Sequence, residues 1–235
     1  MLSTFVRYQL ISFIRSLKFI PPVIVYLTWV FILYAYKNVP ILSSYGASSI
    51  ALYMIMTWIA MAIFTMEEDS EKHILFTHVG GKQKYLIGKW FAVLAFMIPL
   101  AFFAIFYPIL AGSFKGSMTV SLYAMTFYSH IIFGMFGILI GTLFSATTFA
   151  MKKYSWLSAV FFLVVSLASK SLIEAVSLLK WGLWVFPPVF EVIDYMSAGD
   201  QLIANQVFWF DTLHVLLYLI IGIMMAILLF LKKEQ

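Results

Sequence analysis

Residues Glu67–Lys89 read EEDSEKHILFTHVGGKQKYLIGK, the only long polar run in an otherwise apolar chain. The run holds four of the ten acidic residues (Glu67, Glu68, Asp69, Glu71) and four of the fifteen basic ones (Lys72, Lys82, Lys84, Lys89). It also holds two of the four histidines, His73 and His78. Apolar stretches of helix length flank it, 48–66 before and 90–111 after. A charged insert between two such stretches is the part of the chain that meets water and partners. Its acidic start reads as a solvated helix end.

Working outward, composition sets the class. Of 235 residues, 63% are hydrophobic and 11% charged, with mean hydropathy +0.99. Soluble domains carry roughly 25% charged residues, so this chain lacks the charge to cover a water-facing surface. It reads as an all-α integral membrane protein. The absence of cysteine excludes a disulfide framework and cysteine-ligated metal. Met1–Lys18 has no apolar core followed by a small-residue cleavage site, so no cleaved secretory signal is expected.

Residues 3–19 read as an amphipathic interfacial helix. At about 100° per residue, Val6, Leu10, Phe13, Ile14 and Leu17 share one face, opposite Ser3, Thr4, Arg7, Arg15 and Lys18. Such a helix lies among lipid headgroups with its cations outward. Pro21-Pro22 ends it, because proline breaks a helix interior but suits a first turn. Six spans are expected after it: 22–36, 48–66, 90–111, 119–144, 155–173 and 212–231. The first is short against the ~20 residues that cross a bilayer core.

Lys and Arg between the spans set the orientation. Arg7, Arg15, Lys18, Lys72, Lys82, Lys84, Lys89, Lys152, Lys153, Lys232 and Lys233 make eleven on one side. Lys37, Lys115, Lys170 and Lys180 make four on the other. The positive-inside rule then puts both termini and the 67–89 loop in the cytoplasm. The last outer connection, 174–211, is long and semi-apolar. It carries Trp181, Trp184, Pro187, Pro188 and Glu191 among its aromatic and acidic residues. Its Pro-Pro break inside a stretch too short to span twice points to a hairpin that dips into the outer leaflet, or to an interfacial lid.

Within the spans, Pro99 and Pro108 are expected to kink the third. Gly137 and Gly141, at GxxxG spacing with Gly134 nearby, read as a close packing face. His130 and His214 are ionisable groups in or beside the membrane. With no ligand-spaced partner near either, each reads as a hydrogen-bonded structural residue.

The chain has no GxxxxGK[ST], HExxH or GxSxG motif. Its basic residues fit topology and not a nucleic-acid surface. Glu67-Glu68 with Lys72 four positions on bears a faint likeness to the paired-glutamate motif of intramembrane CAAX-type proteases, with His130 and His214 as possible partners. The polar context of these acids argues against it.

The whole chain resembles the ABC-2 type transporter permease family. The local match is an acidic residue leaving span two (Glu67 or Glu68), a short helix (EKHILFTH), the small-residue turn Gly80-Gly81, and Lys89 leading into span three. The resemblance implies that the loop is a coupling helix seated in a separate ATPase subunit, present in two copies, which holds ATP and Mg. Ile74, Leu75 and Val79 would be the apolar contacts, flanked by Lys72, His73 and His78. It also implies a homodimer or a heterodimer with a homologous permease. No catalytic residue, metal or cofactor is then expected on this chain. The expected function is export of a hydrophobic or amphipathic cargo across the plasma membrane. The alternatives are the protease and a non-transporting scaffold or sensor.

Overall fold

The computed structural model describes residues 1–149, 152–176, 178–200 and 206–233. Ser177 and residues 201–205 of the expected outer connection, with the side chains of Lys152 and Lys180, lie outside the described residues. The described residues are helical without strands: α1 Leu2–Arg15, α2 Ile20–Leu33, α3 Ile41–Phe64, α4 Asp69–Val79, α5 Lys82–Leu110, α6 Val120–Ala146, α7 Ser155–Ala175, α8 Leu179–Leu183, α9 Val189–Ser197 and α10 Gln206–Lys233. Five helices, α3, α5, α6, α7 and α10, are long and apolar enough to cross a membrane. The protein is therefore an all-α, membrane-embedded bundle.

The expected first span, 22–36, falls largely on one short helix. It is a 14-residue helix, α2, about 21 Å long at 1.5 Å per residue, against a hydrocarbon core of roughly 30 Å. α1 and α2 meet at a 79° bend, and only as a pair do they have the length and hydropathy of a span. The double proline lies in the first turn of α2, where no intrahelical N–H is required. The pair follows α5. Phe5 packs on Tyr85, Phe13 on Phe96, and Phe31 on Tyr107, with ring centroids 5.3, 5.1 and 4.9 Å apart. Gly88 makes the first contact possible, since a Cβ there would lie 2.4 Å from the Phe5 ring. The buried stripe of α1 is thus Phe5, Gln9 and Phe13. Ile14 and Leu17, on the expected apolar face with Phe13, are exposed and do not join the stripe packed on α5.

α3 and α6 form the centre. In their most apolar windows 67% and 78% of residues are buried, against 28% in α7 and α10. Lipid tails are as apolar as leucine, so helices approach where small residues permit it. Gly137 and Gly141 are those residues. A Cβ on Gly137 would meet the Tyr53 carbonyl oxygen at 2.5 Å, and one on Gly141 would meet the Ala60 Cβ at 2.5 Å. The outer faces of α7 and α10 expose Leu157, Phe161, Leu213, Ile220 and Ile221, far more apolar surface than water tolerates.

Three further boundaries differ from expectation. α3 starts at Ile41, seven residues before Ser48. Its first N–H groups, on Ile41 and Leu42, donate to the Asp200 carboxylate at 3.2 and 2.9 Å, a cap supplied from 158 residues away. α5 begins at Lys82, so Lys82, Lys84 and Lys89 are helical and the polar loop is shorter than 67–89. α10 runs from Gln206 and not from Thr212. Pro99 and Pro108 both lie inside one continuous α5. The Tyr45 hydroxyl of α3 donates to the Ile105 carbonyl of α5 at 2.8 Å and ties the two helices together.

The segment between α7 and α10 turns back into the bundle. The stretch between α8 and α9 lies beside the middles of the long helices: Phe186 stacks on Phe162 at 4.3 Å, and the Tyr218 hydroxyl donates to the Val185 carbonyl at 2.6 Å. α9 then climbs along α7 and α10. Asp194 accepts from Lys170 at 2.8 Å, Glu191 from His214 at 2.7 Å, and Asp211 from the Tyr195 hydroxyl at 2.6 Å. α9 ends beside the start of α3, with the Met196 Cβ 3.0 Å from where a Cβ on Gly46 would lie.

Candidate functional site

The polar stretch after α3 is built around a buried ion pair. Lys89 is fully buried and Glu67 is 8% exposed, which corrects the reading of Glu67 as solvated. Lys89 Nζ donates to both carboxylate oxygens of Glu67, at 2.6 Å to Oε1, and to the Ile63 carbonyl at 2.7 Å. The three ammonium protons are thereby all used. The third contact satisfies one of the last four carbonyls of α3, which have no partner within the helix. Gln9 Nε2 donates to Glu67 Oε1 at 2.7 Å, and the Tyr85 hydroxyl to Oε2 at 3.2 Å. One carboxylate therefore joins α1, the end of α3 and two successive turns of α5. Tyr85 and Lys89 reach it together because i and i+4 share a helix face.

α4 is fixed to this junction along one side. Asp69 and Glu71 stand in its first turn, where the helix dipole favours anions. Gly80, at φ 86°, ends it in the left-handed conformation that glycine adopts without a Cβ penalty. Phe76 packs edge-on against Tyr85 at 4.9 Å, and Tyr85 stacks on Phe230 of α10 at 6.2 Å. The Tyr8 hydroxyl donates to Glu71 at 3.1 Å, tying α4 to α1. Lys72 is buried and pairs with Asp69 at 3.1 Å.

The outward side carries other residues. Ile74 is 59% exposed, beside exposed His73, Thr77 and His78 and half-buried Leu75. His78 Nδ1 is 2.9 Å from the Ile74 carbonyl. Val79, expected among the outward contacts, is buried in the chain's own core, because it follows Phe76 by three residues and shares its face. Of the three expected apolar contacts, Ile74 faces outward, while Leu75 is half-buried and packs against the core. Glu68 is exposed, and so are Gly80 and Gly81. A groove of about 960 Å3 runs beside the helix, lined by Lys18, Trp58, Glu68, Lys72, Lys153 and Trp156 among others. Arg7 and Arg15 lie exposed on the free side of α1.

The remaining expected residues stand elsewhere. His130 is buried, with Nε2 3.0 Å from Ser48 Oγ and Nδ1 2.9 Å from the Thr126 carbonyl. Ser48 and Phe64, at the end of α3, are separated by roughly 24 Å of helix. His214 sits with Glu191. Neither histidine meets Glu67 or Glu68, so the constellation of the protease likeness is not assembled. Trp181 and Trp184 are exposed, and Pro187 and Pro188 are buried beneath α9.

Gln9, Tyr85 and Phe230 complete the junction and were not singled out by sequence. The available signals were the spacing of Phe5, Gln9 and Phe13 at i, i+4 and i+8, and of Tyr85 and Lys89 at i and i+4. No family model, curated protein or solved structure matches the chain.

Proposed function

We propose that this chain is the membrane subunit of an ATP-driven transporter of the ABC-2 type, with α4 as the coupling helix that docks in a separate ATPase. The observation that carries the reading is the two-sidedness of α4. One side presents Ile74, His73 and His78, with half-buried Leu75 at its edge, while the other is held by Phe76, Tyr85, Phe230 and the buried Glu67–Lys89 pair. A loop that only links two spans has no use for a buried ion pair. A helix that must pass a push from a partner into α1, α3 and α5 needs such a rigid seat.

In this reading ATP and Mg stay on two partner ATPases. The permease pairs with itself or with a homologous chain, and the α4 end faces the cytoplasm in the plasma membrane. Support for the orientation comes from the eleven cationic residues assigned to that side by sequence. α1 with α2 makes one bent crossing, and the α8–α9 hairpin re-enters from the outer side. The cargo is hydrophobic or amphipathic, carried outward.

The test is co-expression of the chain with its genomic neighbours, an ATPase among them being the expected partner, followed by gentle extraction. Wild type brings down the ATPase and stimulates its ATP hydrolysis. Ile74→Asp loses both while keeping the wild-type melting temperature. Full ATPase recovery with that substitution would sink the proposal.

A further inference from the structure

One face of α3 carries two grooves in succession. At about 100° per residue, Ala47, Ala51, Met54, Trp58, Ala62 and Thr65 share that face. Ala47, Ala51 and Met54 line a groove of about 390 Å3 against Val25, Tyr26 and Trp29 of α2, and its lining offers no polar surface. Trp58, Ala62 and Thr65 continue into the groove of about 960 Å3 beside α4. Ala47 and Trp58 are roughly 16 Å apart along the helix at 1.5 Å per residue, about half of a 30 Å hydrocarbon core. The change from apolar to polar lining therefore falls one leaflet's depth along α3. Trp58 meets Trp156 of α7 there, ring centroids 5.9 Å apart, and tryptophan favours the membrane–water boundary.

The polar groove contains charges of both signs. Three acids line it, Glu67, Glu68 and Asp69, with Lys18, Lys72 and Lys153. Glu67 is held by Lys89 and Asp69 by Lys72. Lys18 and Lys153 are exposed, and neither pairs with a carboxylate among the described residues. That leaves Lys18 and Lys153 against Glu68, a surplus of one cation among the described residues. We propose that the two grooves form one site for an anionic phosphodiester lipid with a hydroxylated headgroup. One acyl chain lies between α2 and α3, the phosphate between Lys18 and Lys153, and the headgroup hydroxyls donate to Glu68. The single charge of the phosphodiester balances the surplus cation. Phosphatidylethanolamine brings no net charge, phosphatidylcholine brings no donor for Glu68, and a free phosphate leaves the apolar groove empty. Basic pockets at helix ends attract anionic headgroups by the same electrostatics. An occupied site would bridge the turn before α2, the end of α3 and the starts of α4 and α7. It goes beyond coupling to an ATPase and stands without it.

The experiment uses the full chain in detergent, with no ATPase present, and reads the first lipid bound per chain by native mass spectrometry. The probes are dioleoyl phosphatidylglycerol, phosphatidylethanolamine and phosphatidylcholine. Wild type is expected to hold phosphatidylglycerol roughly tenfold tighter than the other two, with two lysines acting on one phosphate. Lys18→Gln combined with Lys153→Gln is expected to erase that preference. Arg7→Gln combined with Arg15→Gln removes as much charge from the free side of α1 and is expected to keep it. Ala51→Trp fills the tail groove and is expected to weaken all three lipids alike. Val25→Trp, on the opposite wall, replaces it if Ala51→Trp loses the wild-type helical content, which is checked for every variant. Glycerophosphoglycerol, the same headgroup without chains, is expected not to displace the lipid. The assignment is overturned if wild type shows no preference, or if the lysine variant keeps it. It is equally overturned if the arginine variant loses it, if a folded groove-filling variant binds as wild type does, or if the chain-free headgroup displaces the lipid.

Discussion

Glu67 and Lys89 stand 22 residues apart and form a fully hydrogen-bonded ion pair beneath the polar surface at the end of α3. Removing one member of a buried pair leaves the other charged and unpaired, at a cost of about 3–5 kcal/mol. Glu67→Gln and Lys89→Met are each expected to lower thermal stability by that order. The double variant should recover a large part of the loss, since replacing both charges leaves none stranded. Equal and additive losses in the double-mutant cycle would contradict a direct pair.

The two faces of α4 should separate stability from partner binding. Phe76→Ala empties a packed aromatic site against Tyr85 and Phe230, and large-to-small changes of this kind cost about 3–5 kcal/mol. Limited proteolysis within residues 65–81 should accelerate. Ile74→Asp, on the exposed face, should stay within about 0.5 kcal/mol of wild type. Matching proteolysis rates for the two variants would mean that α4 is not seated as described.

Gly137 and Gly141 face the backbone of α3 with no room for a side chain. Valine at either position should cost about 1–3 kcal/mol, the usual range for overpacking. Gly182 has open space at its Cβ position, so Gly182→Ala serves as the control and should be near neutral. Melting curves in detergent distinguish the three.

Asp200→Ala removes the acceptor for the Ile41 and Leu42 N–H groups. Loss of an N-cap costs about 0.5–2 kcal/mol. Hydrogen exchange should speed up at the first turn of α3, while its last turn, held by Lys89, is unaffected. Uniform exchange along α3 would argue against this cap.

Membrane class and the existence of the long helices were legible because apolar runs near 20 residues have one reading in lipid. Helix ends were less legible, and for identifiable reasons. α3 starts early because its cap, Asp200, comes from the far end of the chain. α5 starts early because lysine is a good helix former, and charge marks the membrane edge without ending a helix. In the loop, the type of α4 and its glycine stop were readable, since an acidic first turn and Gly80-Gly81 are local signals. Glu67 was not, because a carboxylate beside Glu68 and Asp69 reads as solvated until its partner is placed.

By itself the sequence determined what depends on neighbours along the chain: the solvent, the existence of five long apolar helices, the polar helix between two of them, and the absence of the common nucleotide and hydrolase motifs. The tertiary structure decided what depends on pairs distant in sequence. It buried Glu67 against Lys89, turned Val79 inward and left Ile74 out. It returned the Pro187-Pro188 turn to the middle of the bundle. The reason is that burial of a charge is a property of its surroundings, and in a helical bundle most of those surroundings come from other helices.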